Sequence, residues 1–247
     1  MKFKSIAFHH FGCKVNFAEA SSLAGNFRDK GLEVKDFHEQ ADVYVISTCV
    51  VTAVAEKKCR AAIRQAHKLN PDAKIAVIGC FSELKPDELK SMEGVDIVLG
   101  HSGKFHLTEA LEKLDNQEYP ASDTIESELI NDPYHFVPSY SSNDRTRSFL
   151  KIQDGCDYFC SYCTIPLARG KSRSDTITNI LKEVDEIASK GIREIVLTGV
   201  NIGDFGKITG EKLIDLLHKL ETRSEIPRFR ISSIEPDLLT DDIISLV

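Results

Sequence analysis

Two short, unbroken apolar runs, Val43-Tyr44-Val45-Ile46 and Ile75-Ala76-Val77-Ile78, constrain this chain more than any other feature. Strands without polar alternation are buried on both faces, and that is the condition of a parallel sheet covered by helices. The stretch between them supplies such a helix. Ala53 to Leu69 has helical periodicity and stops at Asn70-Pro71. The same alternation extends in both directions. Ser5–His9, Leu32–Val34 and Val95–Leu99 read as strands, and Glu19–Lys30, Pro86–Met92 and Phe105–Leu114 as helices, the first of them closed by Gly31. Residues 1–138 are therefore expected to form a parallel α/β domain. From Asn116 the periodicity fades, and Pro120, Pro133 and Pro138 lead into a linker at 139–147. A second domain, 148–247, resumes the pattern with strands at Phe149–Gln153, Glu194–Thr198 and Phe229–Ser233, and helices at Thr178–Lys190, Gly210–Leu220 and from Asp237 onward. Three βα units are about half of a βα barrel.

Composition narrows the function. The formal net charge of −7 argues against a strongly basic nucleic-acid-binding domain, although a local basic patch can still act within an acidic protein. No apolar run approaches the roughly 20 residues of a membrane span, and the start of the chain does not read as a signal peptide. A cytoplasmic, monomeric protein is expected. In that compartment cysteines are reduced, so seven of them point to metal or catalysis before disulfides.

Six of the seven fall into two groups. Cys156, Cys160 and Cys163 form a Cys-x3-Cys-x2-Cys run just after the first strand of the second domain. Three thiolates at this spacing can hold three corners of a 4Fe–4S cubane and leave the fourth iron open. Structural zinc wants four ligands, commonly in Cys-x2-Cys pairs, and no fourth lies nearby. The location also suits a site, because βα barrels carry their chemistry at the carboxyl ends of the strands. Tyr162 is placed to pack against a nucleoside. Cys13, Cys49 and Cys80 are far apart in sequence, but each follows a strand, so a parallel sheet would bring all three to one edge. Position alone leaves two readings open, a second cluster site or three unrelated buried cysteines. Cys59 lies inside the Ala53–Leu69 helix and reads as a non-ligand. His9 and His10 read as packing residues. The basic face of Lys57, Lys58, Arg60, Arg64 and Lys68 reads as solvated.

The longer motifs resemble a known family. Lys151-Ile152-Gln153-Asp154-Gly155-Cys156, continuing through Cys160-Ser161-Tyr162-Cys163 to Pro166-Leu167-Ala168-Arg169-Gly170, resembles the signature of the radical S-adenosylmethionine methylthiotransferases. Phe11-Gly12-Cys13-Lys14-Val15-Asn16, Ser47-Thr48-Cys49-Val50-Val51-Thr52 and Ile78-Gly79-Cys80 resemble that family's three further cysteine motifs. The resemblance implies a Rossmann-like domain followed by a radical SAM (β/α) barrel, of which 148–247 is the N-terminal half. It implies two 4Fe–4S clusters, one on each cysteine triad, and S-adenosylmethionine on the open iron of the Cys156 group. The chemistry implied is a radical hydrogen abstraction followed by transfer of a methylthio group held at the second cluster. Tyr162, Thr198, Gly199 and Asn201 are expected to line the cofactor pocket. Leu197-Thr198-Gly199-Val200-Asn201-Ile202-Gly203 and Arg230-Ile231-Ser232-Ser233-Ile234-Glu235-Pro236 look like the branch acting on tRNA threonylcarbamoyladenosine. The partners implied are tRNA, a sulfur donor and an electron donor. The isopentenyladenosine branch and the branch acting on a ribosomal-protein aspartate are the alternatives. A metal-binding or RNA-interacting module without turnover is the alternative of another class.

Overall fold

The computed structural model describes residues 2–49, 52–116, 135–142 and 146–247, with the backbone of a short strand at 124–125. Its first sheet comprises β1 (Ser5–His10), β2 (Glu33–Lys35), β3 (Val43–Thr48), β4 (Lys74–Gly79), β5 (Val95–Leu99) and β6 (Thr124–Ile125). All pairings are parallel, in spatial order β2-β1-β3-β4-β5-β6. Helices α1 (Lys14–Asp29), α2 (Ala53–Leu69), α3 (Cys80–Leu84), α4 (Pro86–Lys90) and α5 (Leu107–Asp115) connect them. Alternate residues of β3 serve opposite faces. Val43 and Val45 pack with Leu23 and Phe27 of α1 and Leu107 and Leu111 of α5. Tyr44 and Ile46 pack with Cys59, Ala62 and Ile63 of α2 and Leu89 of α4. Burial on both faces is what the unbroken apolar runs demanded.

The strand order reverses around β1, which stands between β2 and β3. In doubly wound sheets that reversal opens a crevice beyond the carboxyl ends of the flanking strands, the usual place for a ligand. Local sequence sets the entry into the helices. Thr52 caps α2 by accepting a hydrogen bond from the Ala55 amide at 3.1 Å. Helix α1 starts at Lys14, earlier than the expected Glu19. Its first turn holds Asn16, a poor helix former, whose amide is occupied by tertiary bonds described below. Helix α3, which the periodicity does not announce, follows directly on Gly79.

The second sheet contains β7 (Ser139–Tyr140), β8 (Ser148–Lys151), β11 (Glu194–Thr198) and β12 (Arg228–Ile231), in the order β12-β11-β8-β7. The last three in chain order are parallel, and β7 runs antiparallel to β8. Thus Ser139 and Tyr140, within the stretch read as linker, pair with the second sheet. The expected strand Phe149–Gln153 breaks after Lys151, because β9 (Gln153–Asp154) pairs instead with β10 (Arg173–Ser174) in an antiparallel ribbon. Helices α6 (Ile165–Arg169), α7 (Ile177–Ser189), α8 (Leu213–Glu221) and α9 (Asp241–Leu246) complete the domain. Ile180, Val184, Leu216, Leu217 and Leu220 cover Leu150, Ile195 and Leu197 to form its core. The architecture is the expected α/β domain followed by part of a βα barrel. Helix α1 lies between the two sheets. Its Leu23 and Phe27 face the first, while Ala18 and Phe17 pack on Phe149 and Val196 of the second. The Phe17 and Phe149 rings meet edge to face with centroids 5.5 Å apart.

Candidate metal centres at the domain interface

Cys13, Cys49 and Cys80 each lie just past the carboxyl ends of β1, β3 and β4, three adjacent strands. Two side chains stitch their loops together. Asn16 Nδ2 donates to the Phe11 carbonyl at 2.9 Å and the Thr48 carbonyl at 2.8 Å. Thr48 Oγ1 donates to the Ile78 carbonyl at 2.7 Å and accepts from the Phe81 amide at 3.2 Å. Two glycines allow the close approach. A Cβ on Gly12 would stand 2.9 Å from both Cβ and Sγ of Cys49, and one on Gly79 would stand 3.0 Å from the Thr48 carbonyl oxygen. Both glycines have positive φ, +97° and +100°. Cys49 and Cys80 are buried and Cys13 is exposed at the N-terminal end of α1. Burial pushes the Cys80 thiol up, and the neighbouring Arg169 and Lys104 draw it back toward thiolate. Cys59 is different in kind. It is fully buried in the core under α2, and burial pushes its thiol up to about 11. His9 meets Phe11 edge to face and Phe37 at a tilt, and His10 meets Phe17 at a tilt, so both are engaged in aromatic packing. On the basic face of α2, Arg60 pairs with Glu56 and Glu88.

Cys156, Cys160 and Cys163 occupy the long turn between β9 and α6. The turn is pinned at its root. Gly155 has φ +69°, and a Cβ there would stand 2.0 Å from the Lys171 carbonyl oxygen. The Cys156 amide donates to the Gly170 carbonyl at 3.1 Å. Asp157 accepts from the Ser172 amide at 3.0 Å and from Lys207 Nζ at 2.8 Å. Inside the turn the Cys163 amide donates to the Cys160 carbonyl at 2.9 Å. Burial pushes the Cys156 thiol up, and Asp204 with the other two cysteines adds to the rise.

Gln153 ties this root to the loop after β11. Its Oε1 accepts from the Val200 and Asn201 amides, both at 2.9 Å, and its Nε2 donates to the Gly155 carbonyl at 2.8 Å and to Ser172 Oγ at 3.0 Å. Gly199 is required there, since a Cβ would stand 2.7 Å from Gln153 Oε1. The loop of Thr198, Gly199 and Asn201 therefore adjoins the cysteine turn. Its side chains, however, are engaged inside the protein. Thr198 Oγ1 meets Ser232 Oγ at 3.4 Å, and Asn201 Oδ1 accepts from the Glu235 amide at 3.2 Å. Tyr162 is 90% exposed, on a turn that also exposes Tyr158 and Phe159. Gln153 is the residue the sequence reading passed over. Its place in the Lys151–Cys156 signature, a polar side chain at a strand end two residues before Gly155, is the signal that points to it.

Each triad offers three thiolates, the donor type an iron–sulfur cluster takes. Among the described residues, ligand atoms of three His, Cys, Asp or Glu side chains come within 4.8 Å of one another only at Glu19, His101 and Asp154. Neither cysteine triad converges on one point as zinc requires, whereas a cubane places each thiolate on a separate iron.

The Glu19, His101 and Asp154 group is filled by cations. Glu19 accepts from Lys104 Nζ at 2.6 Å, Lys151 Nζ at 2.9 Å and Arg169 at 3.1 Å. Asp154 accepts from Arg169 at 2.8 Å and Arg173 at 3.3 Å, and faces His101 Nε2 at 3.0 Å. All seven residues are at most 4% exposed. Burial opposes ionisation of Glu19, but Arg169, Lys104 and Lys151 outweigh it and hold its carboxyl well below the usual range. Burial and Lys104 push His101 down to about 3, so its imidazole is neutral. Burial pushes Lys104 down to about 8. The network joins the domains: Glu19, His101 and Lys104 come from the first, and the other four from the second.

Comparison with known proteins agrees with this arrangement. Residues 5–100 match the uncharacterized protein family UPF0004, and residues 150–246 match the radical SAM superfamily. The chain is 38% identical to the threonylcarbamoyladenosine tRNA methylthiotransferase MtaB of Bacillus subtilis (strain 168), over 98% of this chain and 54% of the relative. Identity to the protein of the same name from Thermotoga maritima is also 38%, with the same coverages. It is 29% to the tRNA-2-methylthio-N(6)-dimethylallyladenosine synthase of Clostridium perfringens, over 96% of this chain and 54% of the relative. The chain spans about half the length of the curated relatives it matches. Among solved structures, the radical S-adenosylmethionine methyltransferase TsrM from Kitasatospora setae aligns with a TM-score of 0.65 at 14% identity, over 98% of this chain and 57% of that one, a likeness of fold. The radical SAM match implies S-adenosylmethionine and a 4Fe–4S cluster. With both matches in one chain and relatives aligned across nearly all of it, the chain carries a UPF0004 domain followed by a radical SAM domain, and it is similar along its length to radical SAM methylthiotransferases.

Proposed function

We propose that this chain serves the methylthiolation of N6-threonylcarbamoyladenosine in tRNA, at C2 of the modified adenosine beside the anticodon. The observation that carries the reading is the pairing of two cysteine triads, each at strand ends, through one buried network across the domain interface. In this reading Cys156, Cys160 and Cys163 hold the 4Fe–4S cluster that binds S-adenosylmethionine, and Cys13, Cys49 and Cys80 hold a second. A 4Fe–4S cluster with S-adenosylmethionine supplies the one-electron chemistry that activates an inert C–H bond. The protein's own residues do the holding. Gln153 and Gly155 fix the root of the Cys156 turn against the Thr198–Asn201 loop, and Asn16 and Thr48 fix the three loops of the other triad. In this reading Tyr162, exposed beside Cys163, is the ring that meets a nucleoside. Identities of 38% to threonylcarbamoyladenosine enzymes, against 29% to the dimethylallyladenosine enzyme, favour the first substrate. A sulfur donor and an electron donor are its further partners, and the protein works in the cytoplasm as a monomer. Among the described residues no helix is long and apolar enough to cross a membrane.

Two measurements test this. Anaerobic reconstitution is expected to give about eight irons per chain, from two 4Fe–4S clusters, falling to about four in Cys13→Ala. Four irons unaffected by Cys13→Ala remove the second cluster. Nucleoside mass analysis of tRNA from a strain lacking the gene is expected to lose the methylthio group from threonylcarbamoyladenosine. Its loss from the isopentenyl nucleoside instead overturns the substrate assignment.

A further inference from the structure

The buried network at the interface is not electrically balanced. It holds four cations, Lys104, Lys151, Arg169 and Arg173, against two carboxylates, Glu19 and Asp154, with His101 neutral. Glu83 of α3 accepts from the His101 backbone amide at 2.7 Å and offsets one of these charges, and the positive excess that remains in a site at most 4% exposed is costly unless an anion faces it. The geometry shows which way it faces. Helix α6, which ends in Arg169, packs on α3, which begins with Cys80, and Ala168 shares a core cluster with Cys80 and Phe81. Arg169 donates at 2.6 Å to Asn16 Oδ1, and Asn16 sits on the first turn of α1, which starts after Cys13. Arg169 and Lys104 thus stand behind the Cys13, Cys49 and Cys80 triad. The other triad has the opposite surroundings, with Asp204 and Asp157 near Cys156 and Lys207 paired to Asp157.

We propose that Arg169, with Lys104 beside it, is the built-in counter-charge of the cluster on Cys13, Cys49 and Cys80 and raises that cluster's reduction potential. The assignment rests on the second-cluster reading above. Three thiolates on an oxidised 4Fe–4S core leave one net negative charge, and reduction adds another. A fixed cation therefore stabilises the reduced form more than the oxidised form. Arg169 follows Cys163 closely in sequence, so the radical SAM domain itself supplies the charge that tunes its neighbour's cluster. Both residues act on the cluster through the field and are positioning residues.

The test uses the chain with Cys156, Cys160 and Cys163 all replaced by Ala, reconstituted anaerobically and titrated by EPR against redox mediators. In that background Arg169→Gln and Lys104→Gln are each expected to shift the reduced-to-oxidised ratio at fixed potential about tenfold toward oxidised, about 59 mV for one electron. Arg169→Lys, which keeps the charge, is expected to restore most of the potential. Arg173→Gln removes a cation from the same network on the side of His101, and a smaller shift is expected. If Arg169→Gln does not fold, Lys104→Gln carries the test. A cluster whose potential is unmoved in the Gln variants, or is moved as far by Arg173→Gln, overturns the assignment while leaving the second cluster in place. A triple-Ala background that binds no cluster overturns the second-cluster reading itself, and the assignment with it.

Discussion

Glu19→Gln is the most demanding single perturbation that the interface offers. The Glu19 carboxylate is 2% exposed and accepts from three cations at 2.6, 2.9 and 3.1 Å. Glutamine preserves the shape and one acceptor oxygen but removes the charge, leaving Lys104, Lys151 and Arg169 with Asp154 as their one remaining anion. Removing one partner from a buried, hydrogen-bonded ion network costs about 3–5 kcal/mol. In a chain of this size each kcal/mol lowers the melting temperature by about 2–4 °C, so a drop of roughly 6–20 °C is expected. Urea unfolding followed by circular dichroism on anaerobically purified protein measures the free energy directly. The double variant Glu19→Gln/Lys104→Met removes the stranded cation as well, and it is expected to cost less than the sum of the two single changes by about 0.5–3 kcal/mol. The pH dependence has a definite sign. The Glu19 carboxyl is held well below the usual glutamate range, so its contribution is complete above the unfolded-state value and is lost as pH falls through the folded one. The Gln variant therefore loses less stability than the parent on acidification in that range. A cost under about 1 kcal/mol, or strict additivity of the two substitutions, refutes the claim that this network holds the domains together.

Two further perturbations separate the cysteines by role. Gly79→Ala forces a side chain into φ +100°, ψ −154°, a region that only glycine occupies readily, and against the Thr48 carbonyl at 3.0 Å. It is expected to cost about 1–3 kcal/mol and to displace Cys80, lowering reconstituted iron by about half, and full iron content with unchanged stability counts against the stitching of the loops. Cys59, on the buried face of α2, reaches the triad only through a long contact from its Sγ to the Cys49 carbonyl at 4.0 Å, so Cys59→Ala is expected to leave iron content unchanged, and loss of iron counts against its exclusion from the ligand set.

Much of the architecture is legible along the chain. Val43–Ile46 and Ile75–Ile78 dictate strands covered on both faces, because an unpaired polar side chain has no place on either. A parallel sheet with helical crossovers places every strand's carboxyl end on one edge. It follows that Cys13, Cys49 and Cys80 arrive at one edge although long stretches of chain separate them. The Cys156 group needed less, since its spacing is local.

The tertiary structure decided what the periodicities do not encode. Asn16, Thr48 and Gln153 act by bonding to backbone groups on other loops, and no local pattern distinguishes such residues from ordinary turn or helix-end polar groups. Glu19 and Lys104 carry charges whose burial no local pattern announces. They are buried because the second domain lays Lys151 and Arg169 against them. A charge is tolerated inside a protein only beside its counter-charge, and which charges meet is settled by how two domains dock and not by the order of residues in either.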